Sequence, residues 1–293
     1  MKSVAIIGDS VRKPRQLVED VVRAVVSVAL PLRASQDAAT RIILDVIDPR
    51  TIKRGDRITP SNPEGYVTVG LNKASGRGQI LMELKSVRYV SNEDEKDTIK
   101  DLSSEERINL MIDTAEKVSR GAGAFIRMNA DPLQVDAFPA LAFYRDHQRA
   151  VPRGFKAGPK GTLIEVPDDD WPSRWADAGA TSTDTDWLPW EGDGQTGRGV
   201  ALKSSDIWNQ LGDVRDDSLG NSFPPFAFNS DFGVYEVDYK EAVELSLLAK
   251  DAKAKPAKLP TSNEIAERLA KKFHQYIAKL ESEEQNRRNK PTA

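Results

Sequence analysis

The sequence contains no cysteine and only two histidines, His147 and His274, in 293 residues. With no thiols, disulfides and thiol nucleophiles are excluded, and a zinc site lacks its usual donors. The absence of cysteine suits a reducing compartment. Long apolar runs are also missing. The longest, Val18 to Leu32, is interrupted by Glu19, Asp20, Arg23 and Pro31. A bilayer span needs about 20 predominantly apolar residues, so no membrane partner is expected. Val4–Ile7 is too short for the apolar core of a signal peptide. No glycine-rich phosphate loop occurs, and no cofactor is implied.

What remains is a polar chain, 39% apolar and 30% charged, which predicts a modest core with extended segments or tails outside it. The net charge of −3 is unevenly spread. Between Glu165 and Asp217 there are thirteen acids against four bases, and after Ala249 eleven bases against six acids. Such asymmetry fits either solvated faces or contact with differently charged neighbours.

The stretch Gly199 to Leu248 organises the chain. Ser205 or Asp206 is placed to cap a short helix carrying Ile207, Trp208 and Leu211. Phe223-Pro224-Pro225-Phe226-Ala227-Phe228 follows an irregular Gly/Asp-rich segment. Two adjacent prolines enforce an extended path, and three phenylalanines on it gain ~2 kcal/mol each on burial. This predicts an aromatic plug pressed into a core or a partner. Gly233 is expected to turn the chain, and Asp238 to cap a helix reaching Leu248.

Several motifs in order then resemble a known family. They are Asp136-Ala137-Phe138-Pro139-Ala140, Phe143-Tyr144-Arg145, Val151-Pro152-Arg153, Trp171-Pro172-Ser173-Arg174-Trp175, the run from Val200 to Trp208, the Phe223–Phe228 plug and the segment that ends at Leu248. Their order is similar to minor head, or head-morphogenesis, proteins of the phage Mu F type, over residues 103 to 248. The resemblance implies a virion structural and assembly protein, not an enzyme. It would be a minor head component near the portal, contributing to head morphogenesis and DNA packaging or entry. Implied partners are other virion proteins, the portal and the major capsid protein, with DNA a further candidate. The protein would be multimeric in the particle and cytoplasmic in the host during assembly. Many members end in a Gly-Cys-Arg-Cys type cluster, which this chain lacks, so no role of that cluster carries over. Residues 1–100 match nothing in the family.

Elsewhere the pattern gives an α+β class: a helix-rich N-terminal part with a small β-hairpin, a loop-rich Trp/Pro segment and a C-terminal amphipathic helix. Gln16 to Leu30 has helical spacing, although its many valines weaken it. Gln36 to Ile47 reads as helix or strand, ended by Asp48-Pro49. Tyr66 to Leu71 and Gln79 to Val90 read as strands joined by Asn72–Gly78. Ser91 to Asp101 reads as a linker. Ser103-Ser104-Glu105-Glu106 opens a helix whose Ile108, Met111, Ile112, Ala115, Val118 and Ala122 form one stripe. Gly121 and Gly123 within it weaken it or allow close packing. Asp136 to His147 is expected to form another helix. Lys250 to Pro260 reads as a charged linker. Beyond it a Thr261/Glu264 capping box opens a helix with Ile265, Leu269, Phe273, Ile277 and Leu280 on one face, standing off the main body as a tether. Residues 286–293 are expected to be disordered. The expected division is 1–100, 101–249 and 250–293.

Interaction candidates are Trp171, Trp175, Trp208, Phe223, Pro224, Pro225, Phe226, Phe228, Ile265, Leu269, Phe273 and Ile277. The indoles Trp171, Trp175, Trp187 and Trp190 either pin a loop to a core or form a partner surface. Asp168, Asp169 and Asp170 offer oxygen ligands, but three consecutive side chains rarely converge on one ion, so a charged turn is expected and no metal site. Val4–Ser10 resembles the first block of SGNH-type hydrolases, with Ser10 as nucleophile. Such a hydrolase needs a late Asp-x-x-His; position 271 is lysine and no base completes the set. A nuclease, an ADP-ribosyl transferase and a protein-binding adaptor are competing functional classes.

Overall fold

A computed structural model describes residues 16, 18–47, 50–53, 66–69, 71–145, 155–157, 162–165, 171–179, 199–228, 230, 232–258 and 260–288. The class is α+β, predominantly helical with a small three-stranded antiparallel sheet. The described residues divide into two compact units, one of residues 16–119 and 273–288, the other Arg120–Lys272. The expected three-part division does not coincide with these units. Both boundaries fall inside helices.

The first unit is built from helices. Residues 18–29 form α1, and α2 spans Arg33–Ile47. Strands β1 (Arg50–Lys53) and β2 (Tyr66–Val69) pair antiparallel, so the hairpin lies earlier than expected. Gln79 to Val90 is not a strand: α3 runs from Lys73 to Ser86. Asn72 starts it, its side chain accepting from the Ser75 N–H, and Gly76, Ile80 and Leu84 recur every four residues as the buried stripe. Ser91 to Asp101 is not a free linker, because Thr98, Ile99 and Asp101 are buried. Asp101 accepts from Ser103 N (2.8 Å), Ser103 Oγ (2.6 Å) and Asp97 N (3.1 Å).

Helix α4, Glu105–Ala130, starts as expected, with Ser104 Oγ accepting from Arg107 N at 3.2 Å. Ile108, Met111, Ile112, Ala115, Val118 and Ala122 are all buried. Arg107 is buried too. Its Nε donates to Ala29 O at 2.9 Å, satisfying a carbonyl left open at the end of α1, and its guanidinium lies 6.0 Å from the Phe273 ring centre.

In the second unit Asp131 caps the short α5, Pro132–Ala137, by accepting from Leu133 N. The helix expected over Asp136 to His147 is instead strand β3, Ala140–Arg145, entered after Pro139. It lies between β6 (Val200–Leu202) and β7 (Phe232–Val237), antiparallel to both. Ala140 and Ala142 pack with Val200, Val237, Ala242 and Leu247. Phe143 points to the opposite face and meets the aromatic rings. Because both faces are covered, the strand shows no polar alternation and is easily mistaken for a helix. Gly233 lies within β7 rather than at a turn, and α8, capped by Asp238, ends at Glu244, short of Leu248. Strands β4 (Phe155–Ala157) and β5 (Leu163–Glu165) pair, and α6 covers Trp171–Asp177. Helix α7 is Ile207–Leu211, and α9 is Ser262–Arg288. Residues 286–288 are the end of α9, so the expected disorder does not begin there.

Candidate functional site

The plug closes on its own core. Phe223, Pro225, Phe226 and Phe228 are buried and Pro224 is half-buried. Phe226 lies 5.9 Å from Phe143 and 6.0 Å from Trp208, ring centre to centre. Trp175 meets Trp208 edge-on at 5.4 Å, Phe232 stacks on Phe143 at 4.5 Å, and Phe223 lies 5.7 Å from Phe125. Such ring pairs add about 0.5–1.5 kcal/mol each beyond area burial. The Trp208 indole N–H donates to Leu202 O at 2.9 Å. A side chain on Gly121 would put its Cβ 1.6 Å from Pro224 O, so α4 admits the plug only as glycine there.

Of the two readings the sequence allowed for these rings, a core or a partner surface, the structure gives the core. Trp175, Trp208, Phe223, Pro225, Phe226 and Phe228 are interior, because rings this large lose too much in water. Ile265, Leu269, Phe273 and Ile277 are likewise buried within the chain. The tether expectation for α9 fails for the same reason, although its capping box forms: Thr261 N donates to Glu264 Oε2 and Glu264 N to Thr261 Oγ1. The Lys250–Pro260 segment is docked rather than free. Ala254 N donates to Asp136 Oδ1, and the buried Ala257 donates its N–H to Asn129 Oδ1. The side chain of Trp171, as well as Trp187, Trp190, Asp168–Asp170, His147 and Ser10, lies outside the described residues.

Two polar arrangements fasten elements of this unit to one another. Arg174 grips Asp217 with two parallel bonds of 2.7 and 3.0 Å, and Arg215 pairs with Asp177. Together they fasten α6 to the loop after α7. Lys203 is fully buried and donates to Met128 O at 2.8 Å and Glu236 Oε1 at 2.6 Å, while Gln134 Nε2 donates to Glu236 Oε2. Pattern reading missed the role of Lys203; its signal is a lone lysine straight after an apolar strand.

The rings fix α7, whose Ile207, Trp208 and Leu211 point inward. Its outer residues therefore face a cleft of about 400 Å³. Asp206, Asn209, Gln210 and Asp213 line one side. Lys258 and, from α9, Arg268, Lys271 and Lys272 line the other. Asp206 is occupied by Gln210 Nε2 (3.0 Å) and Asn209 Nδ2 (2.9 Å). These bonds, Gln210's first, hold its carboxyl below the usual range, with Arg268 adding to the effect. Lys272 Nζ pairs with Asp213 Oδ1 at 2.8 Å and donates to its carbonyl at 3.0 Å. Among the described residues Lys258, Arg268 and Lys271 make no direct ion pair. None of these four cations was a sequence-level site candidate; the basic C-terminal composition was the signal.

Among the described residues no cluster of three or more His, Cys, Asp or Glu is placed to hold a metal ion, and no helix is long and apolar enough to cross a membrane. Compared with known proteins, the chain matches no family model, and no curated protein or solved structure shows significant similarity to it.

Proposed function

We propose that the protein is a structural and assembly component of a tailed-phage or prophage virion, a minor head component near the portal, acting without catalysis. One observation supports this most. The described residues that carry the resemblance to Mu F type head proteins, in β3, α6, β6, α7, the plug and β7, belong to one compact unit and pack on one another there. Motifs scattered over a hundred residues thus serve one purpose, a rigid aromatic body, as a scaffolding role requires. The expected partners are the portal and the major capsid protein, with the chain multimeric in the particle.

The test is protein identification in density-purified particles from an induced host. The chain should be present in fixed ratio to the portal and should survive a high-salt wash. Its absence from particles, with the chain abundant in the lysate, would sink the proposal. Genes for a large terminase and a portal beside its own gene provide an inexpensive preliminary check.

A further inference from the structure

We infer that the cleft between α7 and α9 binds the backbone phosphate groups of a nucleic acid. This names a ligand site that the assembly proposal leaves open, and it rests on the cleft alone. The lining carries four cations against two carboxylates, an excess of two positive charges in a chain whose net charge is −3. Bulk charge therefore does not account for it. Both carboxylates are already engaged, Asp206 by Asn209 and Gln210, and Asp213 by Lys272. Two further acids stand on α9: Glu267, beside Arg268, and Glu264, which is bonded to Thr261 and also acts electrostatically on Lys258 and Arg268. Among the described residues neither acid makes a direct ion pair with Lys258, Arg268 or Lys271, whose donors stay open to an incoming anion.

The scaffold supports their placement. Leu269 and Ile265 anchor the opposite face of α9 in the core. A Cβ on Gly220 would sit 3.0 Å from Arg268 Cβ, so the loop backbone presses on α9 at that turn. Arg268 and Lys272 stand four residues apart, about 6 Å along the helix axis, and Lys271 is beside them. Charges ranked along an open cleft suit a chain of phosphates more than one buried phosphate, which would call for converging, desolvated donors. A concave setting also focuses the field of exposed cations. Lysine and arginine without stacking rings in the lining predict backbone binding with little sequence preference.

The test uses the full chain and a fluorescein-labelled 20-nucleotide oligo-dT, read by anisotropy between 50 and 200 mM NaCl. Combining Lys258→Gln, Arg268→Gln and Lys271→Gln should weaken binding at least tenfold and flatten the slope of log affinity against log salt by about 2, three contacts at roughly 0.7 each. The control combines Lys250→Gln, Lys253→Gln and Lys255→Gln, an equal charge change at exposed positions outside the cleft, and should stay within threefold. Asp206→Asn should tighten binding, and this arm holds even if the triple variant folds poorly. Equal weakening by both triple variants would overturn the inference, as would no change with Asp206→Asn. So would equal binding of a polyglutamate peptide, or displacement by millimolar free phosphate at constant ionic strength. Presence or absence of the chain in particles bears on neither result.

Discussion

The two units solve the problem of a modest core differently. Residues 16–119 and 273–288 bury aliphatic side chains on helix faces: Val21, Val22, Val25, Ile43, Ile80, Leu84 and Ile108 are all but inaccessible. Arg120–Lys272 instead closes around rings brought together by irregular backbone. Its Phe143, Trp175, Trp208 and Phe226 come from four separate segments. Aliphatic stripes tolerate small volume changes, since neighbouring turns can adjust. Interlocked rings against close backbone cannot, because each ring is the wall for the next.

Removing everything after Ala249 should have the largest effect, because α9 supplies buried residues to both regions. Ile265, Leu269, Phe273 and Ile277 at about 2 kcal/mol each approach the whole stability of an ordinary domain. The truncated chain is expected to lose cooperative melting, and an unchanged melting temperature would show that the core is misassigned. Next, Phe226→Ala should cost about 3–5 kcal/mol and Ile43→Val about 0.5–1.5 kcal/mol by urea denaturation. Similar costs would erase the contrast between the regions.

Helix α4 offers a finer test within one element. Gly121→Ala places a methyl against Pro224 O and should destabilise by about 1–3 kcal/mol, despite alanine's better helix propensity. At Gly123 a Cβ meets nothing within 4 Å among the described residues, so Gly123→Ala should stabilise by up to about 1 kcal/mol. Thermal melts of the two variants should shift in opposite directions.

In the aliphatic unit the effect to look for is polar. Burial would raise the Asp101 carboxyl, but the bonds from Ser103 and Asp97, with Tyr89, outweigh it and hold it below the usual range. A depressed carboxyl contributes stability above its unfolded value of about 3.9, and that stability is lost as pH falls through the lower folded value. Asp101→Asn should therefore cost about 1 kcal/mol at pH 7 and progressively less below pH 4. A difference independent of pH would contradict the linkage.

The same contrast explains what pattern reading could reach. Helix α4 was legible because Ser104 caps it and its buried residues recur at three and four. Burial of the plug was legible because Phe and Pro at that density leave few other places for the rings. Strand β3 was not, since a strand covered on both faces loses its alternation. Helix α3 was obscured because Leu81, Met82 and Glu83 interrupt its stripe and Gly76 and Gly78 suggested a turn. For the cleft, composition pointed to a basic C-terminal part, but only the docking of Ile265 and Leu269 orders Arg268, Lys271 and Lys272 against Asp206 and Asp213. The pairing of Arg174 with Asp217, 43 residues apart, left no local trace.

The docked segment before α9 has a consequence for how the protein would be handled by proteases and exchanged in heavy water. KDAKAKPAK looks like an open tryptic site, with Lys250, Lys253, Lys255 and Lys258 exposed. A protease needs several consecutive residues of backbone to peel away into its cleft. Here Ala254 and Ala257 are held three residues apart by Asp136 and Asn129, and Asn129 also closes the end of α4 by donating to Phe125 O. Cleavage must wait for both amides to let go, an opening set by the stability of the body and not by the freedom of a linker. The amide proton of Ala257 should accordingly exchange on the slow timescale of helix α4, while Lys255 and Lys258, one or two positions away, exchange as surface residues do.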